Sequence, residues 1–193
     1  YGVIIAFGLV AGLFAAYSKS KTVGIIPDKM LDVLMVSIVG AVVGARLYYV
    51  IFSLNEYSSD WLKIFRVWEG GLAIYGGVIG GIIAAYFACK WTKVPFKPML
   101  DLGGIGLLIG QAIGRWGNFV NQEAFGTNTT LPWGMSSQTV SNYLTSVKSS
   151  LSVQGINVDP SLPVHPCFLY ESIWCLIGFG LLYRYIEKRR FDG

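Results

Sequence analysis

Long apolar runs broken by short polar or basic segments set the pattern of this chain. Apolar stretches at about 1–17, 33–52, 70–91, 99–119 and 167–185 each come close to the ~20 residues needed to cross a bilayer core. They predict five transmembrane helices in an all-α, polytopic membrane bundle, with residues 1–193 forming one membrane domain. One long segment breaks the rhythm. Residues 121–166 are rich in Ser, Thr, Asn and Pro and read as an external arm between the fourth and fifth spans, either a small ordered cap or an arm over the membrane surface. Within it, the amphipathic stretch 140–151 predicts a short helix. No internal repeat of the transporter kind is visible.

Composition agrees with the pattern. Of 193 residues, 53% are hydrophobic and only 13% charged, against about 25% charged in soluble domains. A net charge of +4, spread thinly, gives no basic stripe for nucleic acid. Glycines recur four apart at Gly8 and Gly12, Gly40 and Gly44, Gly77 and Gly81, and Gly106, Gly110 and Gly114. That spacing lines one helix face with small residues and allows close helix contact. Cys89, Cys167 and Cys175 form no CxxC pair, so neither a disulfide framework nor a zinc site is expected.

Basic residues orient the spans, because cytoplasmic loops carry the excess of Lys and Arg. Lys19, Lys21 and Lys29 follow the first span, Lys90, Lys93 and Lys97 the third, and Arg184, Lys188, Arg189 and Arg190 end the fifth. The other side holds Lys63, Arg66 and Lys148. Tyr1 is therefore expected outside and Gly193 inside. The chain opens within an apolar run, without Met or a charged leader, and reads as part of a longer protein.

The polar groups worth chemistry gather at the outer end of the fourth span, in the run from Gly114 to Gly126: GRWGNFVNQEAFG. Arg115 and Asn118 share a helix face at i and i+3, with Asn121, Gln122 and Glu123 following. Ionisable residues in spans point to function, and the arginine fork suits phosphate oxygens. The alternative is an arginine snorkelling to lipid phosphates. Tyr75, between Gly70-Gly71 and Gly76-Gly77, reads equally as an interfacial anchor or a ligand contact. His165, the only imidazole in the chain, suits acid–base work, although spacing alone favours a structural role. Arg46 lies in the outer half of the second span and has two readings, binding a lipid phosphate or pairing with Glu171. Glu171, one turn into the fifth span, needs a cation such as Arg46 or Arg115. Asp101 reads as a helix N-terminal residue. The GxSxG elbow, the HExxH zinc motif and the phosphate loop are absent. Metal-free lipid chemistry or transport of an anion remain.

Taken together, the runs Gly44–Val50, Gly70–Gly77, Gly114–Gly126 and His165–Ser172 resemble, in order and spacing, the prolipoprotein diacylglyceryl transferase family. Tyr1-Gly2 resembles the opening of its first span. The resemblance covers essentially the whole chain. It implies a bundle of about seven helices with its active site open to the outer leaflet of the bacterial cytoplasmic membrane. It implies transfer of the sn-1,2-diacylglyceryl group from phosphatidylglycerol to the lipobox cysteine of a prolipoprotein, without a cofactor. Arg115, Asn118, Glu123 and Gly126 match essential positions of the family motif, and Tyr1 another important one. By the same resemblance, Arg115, Asn118, Asn121, Gly126, Arg46, Tyr1, Gly76 and Gly77 are expected to contact phosphatidylglycerol. Arg115, Tyr75, Glu123 and His165 are expected to carry the chemistry. Two departures stand out. Many members have His where this chain has Tyr75, and a phenol is a weak base at neutral pH, so the base lies among Glu123, His165 and water. The family also continues past this length, with further spans bearing another essential Arg. Two other readings compete: an anion transporter using Arg115, Arg46 and Glu123, and a fold without turnover.

Overall fold

A computed structural model describes residues 2–57 and 60–193, with Glu56 as backbone only; Tyr1 lies outside them. Among the described residues each long apolar run is helical, except that 70–73 lie ahead of the helix that covers the third. The elements are α1 (Gly2–Ser20), α2 (Pro27–Phe52), α3 (the single turn Leu54–Tyr57), α4 (Ile74–Thr92), α5 (Phe96–Asn121), α6 (Gln138–Val153) and α7 (Cys167–Tyr185). Pro27 starts α2 at a position where a missing N–H costs nothing. Among the described residues β pairing is confined to isolated bridges of Asn128 and Met135 with Val164.

Four helical stretches are long and apolar enough to cross a membrane: Gly2–Val23, Pro27–Phe52, Ile74–Thr92 and Cys167–Lys188. Large apolar side chains such as Val3, Phe14, Ile74 and Trp174 stand exposed on them, as expected of helices that are apolar all round. The remaining expected span falls in α5. At 26 residues α5 is long enough, yet it is not among those four. Asp101, Gln111, Arg115 and Asn118 lower its hydropathy while its glycines add little.

The described residues divide into two compact units, one of 2–16 with 103–188 and one of 17–102 with 189–193. In the second unit, α2 and α4 run antiparallel in backbone contact. A Cβ added at Gly44 would lie 2.8 Å from Gly80 Cα, and one at Gly40 would lie 3.0 Å from Gly80 O. The partners of Gly40 and Gly44 are therefore Gly76 and Gly80. The expected pair, Gly77 and Gly81, sits one residue off that seam, at ordinary distances from Ala41 and Ala45. Two overlapping pairs with the same spacing leave the register to packing. In the first unit, α1 and α5 repeat the device. A Cβ at Gly8 would lie 2.9 Å from Gly110 O and one at Gly12 would lie 2.6 Å from Gly106 O. On the other side of α5, α7 packs antiparallel, with Ser172 Oγ donating to Ala112 O at 2.8 Å and Gly178 facing the Leu108 side chain.

The arm is an ordered cap with its own small core. Val140 and Leu144 of α6 pack with Val158 and Val164, flanked by Phe125, Met135 and Leu151. Ser137 caps α6, its hydroxyl accepting from Val140 N at 3.2 Å. Asn128 ties the return strand, donating to Asp159 O at 2.9 Å and accepting from Asp159 N at 2.8 Å. Bonds from the Ser161 hydroxyl and amide hold the Asp159 carboxyl below its ordinary range.

The α2–α4 seam makes a ranked prediction. Gly44→Ala presses a methyl onto backbone on the facing helix and should destabilise the protein by about 1–3 kcal/mol, the usual cost of overpacking. Gly81→Ala meets Ala41 Cβ at 3.4 Å, an ordinary contact, and should be tolerated. Thermal unfolding in detergent gives the ranking, and equal losses would contradict the seam.

Candidate active site

Helix α5 delivers a polar stripe at Gln111, Arg115 and Asn118, which are i, i+4 and i+7 and hence share one face. Each is met by a partner. Arg115 Nη2 forms an ion pair with Glu171 Oε1 on α7. The same oxygen accepts from Gln111 Nε2 at 2.8 Å. Arg115 Nη1 reaches Asn118 Oδ1 at 3.4 Å. Of the two cations expected for Glu171, the structure selects Arg115. A charge at the end of an apolar helix is tolerable when paired and hydrogen-bonded, and this pair is both. Arg115 is 29% exposed and Glu171 38%, so the guanidinium is anchored on one edge without being sealed.

Beyond the stripe, α5 ends in a Schellman-type turn. Gln122 N donates to Phe119 O at 3.1 Å and Glu123 N to Asn118 O at 2.9 Å. The left-handed residue such a turn requires is Gln122, at φ 55°, where glycine is usual. Ala124, at φ 56°, repeats the strain one residue past Glu123. Two non-glycine residues in this region cost ~1–2 kcal/mol each and bracket Glu123 in a defined pose. The Glu123 Oε1 atom then accepts from Asn118 Nδ2 and from Asn121 Nδ2, each at 3.1 Å. An ionised carboxylate offers about four acceptor sites, and these amides take two, both on one oxygen.

Past the turn, Gly126 and His165 meet in the same unit. Gly126 N donates to His165 O at 2.9 Å and His165 N to Thr127 O at 3.0 Å. A Cβ on Gly126 would lie 2.9 Å from Cys167 Sγ and 3.0 Å from His165 Cβ, which explains the glycine by packing. The His165 ring meets Tyr170 Oη through Nδ1 at 3.0 Å, and that oxygen accepts from Trp133 Nε1 at 2.9 Å. Gln111 and Trp133 carry no motif, and Tyr170 falls within the His165–Ser172 run without being singled out there. Gln111 alone was traceable, four residues before Arg115 on its face.

The other expected residues lie in the second unit. The five N–H groups of Arg46 meet five backbone carbonyls: Nε to Ile64 at 2.8 Å, Nη1 to Gly70 at 2.7 Å and Gly71 at 3.0 Å, and Nη2 to Lys63 and, at 3.4 Å, to Arg66. The Tyr57 ring lies beneath, 5.3 Å from the guanidinium carbon. Arg46 is buried and its fork is spent on folding the 63–71 segment. Without a lipid present, all of its donors are engaged by the chain's own backbone. A depression of about 220 Å³ beside it is below the ~300–1,000 Å³ of small-molecule pockets. Gly71, at φ 71° with Arg46 and Tyr49 against it, cannot carry a side chain. Tyr75 stands in the first turn of α4, exposed, its ring 6.5 Å from that of Tyr48. Gly76 is buried against Gly44 and Tyr48 of α2, a packing position, and Gly77 lies beside it. Tyr1, expected to touch lipid, falls outside the described residues.

Apolar spanning helices with an arginine–carboxylate–amide cluster at one helix end define a polytopic membrane protein with a polar site on a lipid-facing bundle. Comparison narrows the class: the prolipoprotein diacylglyceryl transferase family matches residues 1–193, and the chain belongs to it. A phosphatidylglycerol–prolipoprotein diacylglyceryl transferase of Oceanobacillus iheyensis is 40% identical over 185 residues, covering 94% of this chain and 61% of that protein. Proteins of the same name from Finegoldia magna and Clostridioides difficile are 39% and 38% identical, each covering 100% of this chain and 69% of its own length. This chain thus spans between 61% and 69% of these relatives.

The strained turn gives a prediction in which stability and function part. Ala124→Gly relieves a left-handed alanine and should stabilise by about 0.5–1 kcal/mol, after the entropy glycine adds to the unfolded chain. The same change frees Glu123 and should lower activity. Unfolding and turnover measured on one preparation test this, and a gain in both would show that the pose of Glu123 is immaterial.

Proposed function

We propose that the protein of which this chain is part transfers the sn-1,2-diacylglyceryl group of phosphatidylglycerol to the lipobox cysteine of a prolipoprotein. The observation that carries this reading is the anchored guanidinium of Arg115. Glu171 holds one edge of the fork and Asn118 touches the other weakly at 3.4 Å, which suits an incoming phosphate. Membership of the family and the printed names of the relatives support the substrates.

In this reading α5 is the fourth of five spans, its polar end faces the outer leaflet of the bacterial cytoplasmic membrane, and Gly193 is cytoplasmic. The distribution of basic residues supports that orientation. The cysteine sulfur attacks the glycerol carbon that bears the phosphate. A C–S bond forms and the C–O bond breaks, its electron pair leaving with glycerol 1-phosphate. Only the thiolate is an effective nucleophile, so the thiol proton must pass to a base. Arg115 stabilises charge that builds on the departing phosphate, the kind of preorganised electrostatic help that contributes most to many enzymes. The bilayer and the signal peptide are the partners, and no cofactor is needed because neither redox nor Lewis-acid chemistry enters the step.

The test uses the full-length protein in proteoliposomes with phosphatidylglycerol and a lipobox peptide, read by mass spectrometry. The peptide should gain one diacylglyceryl group. Arg115→Lys keeps a charge without the fork and should lose about 10²–10³-fold in rate, as for loss of a key transition-state donor. An unmodified peptide, with the protein folded and the lipid intact, would remove the transferase reading.

A further inference from the structure

The chain Trp133–Tyr170–His165 is used by nothing described so far. Trp133 belongs to the arm and Tyr170 to the first turn of α7, and their bond joins the two. An indole N–H can only donate. Tyr170 Oη is therefore the acceptor in its 2.9 Å bond with Trp133 Nε1. The phenol has one hydrogen to give, and the remaining polar neighbour is His165 Nδ1 at 3.0 Å. With one of its acceptor sites occupied, the phenol best completes the chain by donating to Nδ1. That leaves Nδ1 as a lone-pair acceptor, and the neutral ring carries its proton on Nε2. The backbone that carries this ring is also pinned, through Gly126 and Thr127, and the bond to the Tyr170 hydroxyl is the contact that orients the ring itself.

We infer that Trp133 and Tyr170 are positioning residues that hold His165 in the Nε2–H tautomer, so that His165 serves the site as a hydrogen-bond donor and not as the thiol's base. This rests on the transferase reading and deepens it. Nδ1 is occupied by the phenol, and Nε2 has no lone pair to receive a proton. The thiol proton then passes to Glu123, whose carboxylate keeps acceptor sites beyond those taken by Asn118 and Asn121. The sulfur–carbon bond forms and the carbon–oxygen bond breaks as before, while His165 donates without transferring its proton. Trp133 also gives the arm a direct hand on the site, since displacing the arm withdraws the indole and releases the ring.

The experiment has two readouts on the full-length protein in nanodiscs. The first is nitrogen NMR with labelled histidine, at a pH where the ring is neutral, with the His165 signals assigned by their loss in His165→Gln. Wild type should show a bare Nδ1 and a protonated Nε2, and Tyr170→Phe and Trp133→Phe should each convert this to a tautomer mixture. The second is diacylglyceryl transfer. Tyr170→Phe and Trp133→Phe should each cost about 2–10-fold, the scale of one net hydrogen bond. His165→Gln keeps an N–H donor but no base and should be at least several-fold more active than His165→Ala. A protonated Nδ1 in wild type, a tautomer untouched by both variants, or equal loss in the Gln and Ala variants would overturn the inference. The expected tautomer in a wild type that transfers nothing would instead remove the transferase reading and leave the positioning intact.

Discussion

The pairing of Arg115 with Glu171 is the constraint on which the rest of the candidate site depends. An unpaired guanidinium near the end of an apolar helix would have to snorkel toward water. Pairing holds it in place, and sharing Glu171 Oε1 with Gln111 fixes the carboxylate as well. The outcome is an arginine with one edge committed and the other facing the amide of Asn118. Asn118 in turn serves Glu123, so acid, amide and guanidinium form one connected group. In such networks the members stabilise one another, and a partly satisfied network is costly.

Helix packing supplies the rigidity this group needs. Gly8 and Gly12 bring α1 onto the backbone of α5, and Ser172 and Gly178 bring α7 onto its other side. The stripe is thus carried on a helix clamped along its length, which positions side chains better than a loop does. Where the helix must end, the chain accepts strain at Gln122 and Ala124 so that Glu123 turns back toward Asn118. Strain of this kind persists only where the surroundings enforce it, and it gathers at functional sites.

Much of this was legible in the residues. Long apolar runs announced the helices, and the density of polar groups after Gly114 announced the site. The need of Glu171 for a cation followed from its place one turn into an apolar span, although Arg46 and Arg115 were equal on sequence. The choice is made by tertiary structure, because the carbonyls of residues 63–71 claim Arg46 and no pattern of side chains records where a backbone segment will fold. The same holds for Gly76 and Gly80, which share their spacing with Gly77 and Gly81. α5 is the reverse case. Its polar residues make it the least hydrophobic of the expected spans for the same reason that they make it the site. Trp133 and Tyr170 lay hidden because their meeting depends on how the arm folds back through Asn128 and Val164.

The most direct test of this account is a cryo-electron microscopy structure of the full-length protein in nanodiscs containing phosphatidylglycerol. The account predicts the lipid phosphate within hydrogen-bond reach of Arg115, with the Arg115–Glu171 pair intact and Arg46 still enclosed by the carbonyls of the 63–71 segment. A phosphate bound at Arg46, with Arg115 turned away into its pair with Glu171, would contradict it.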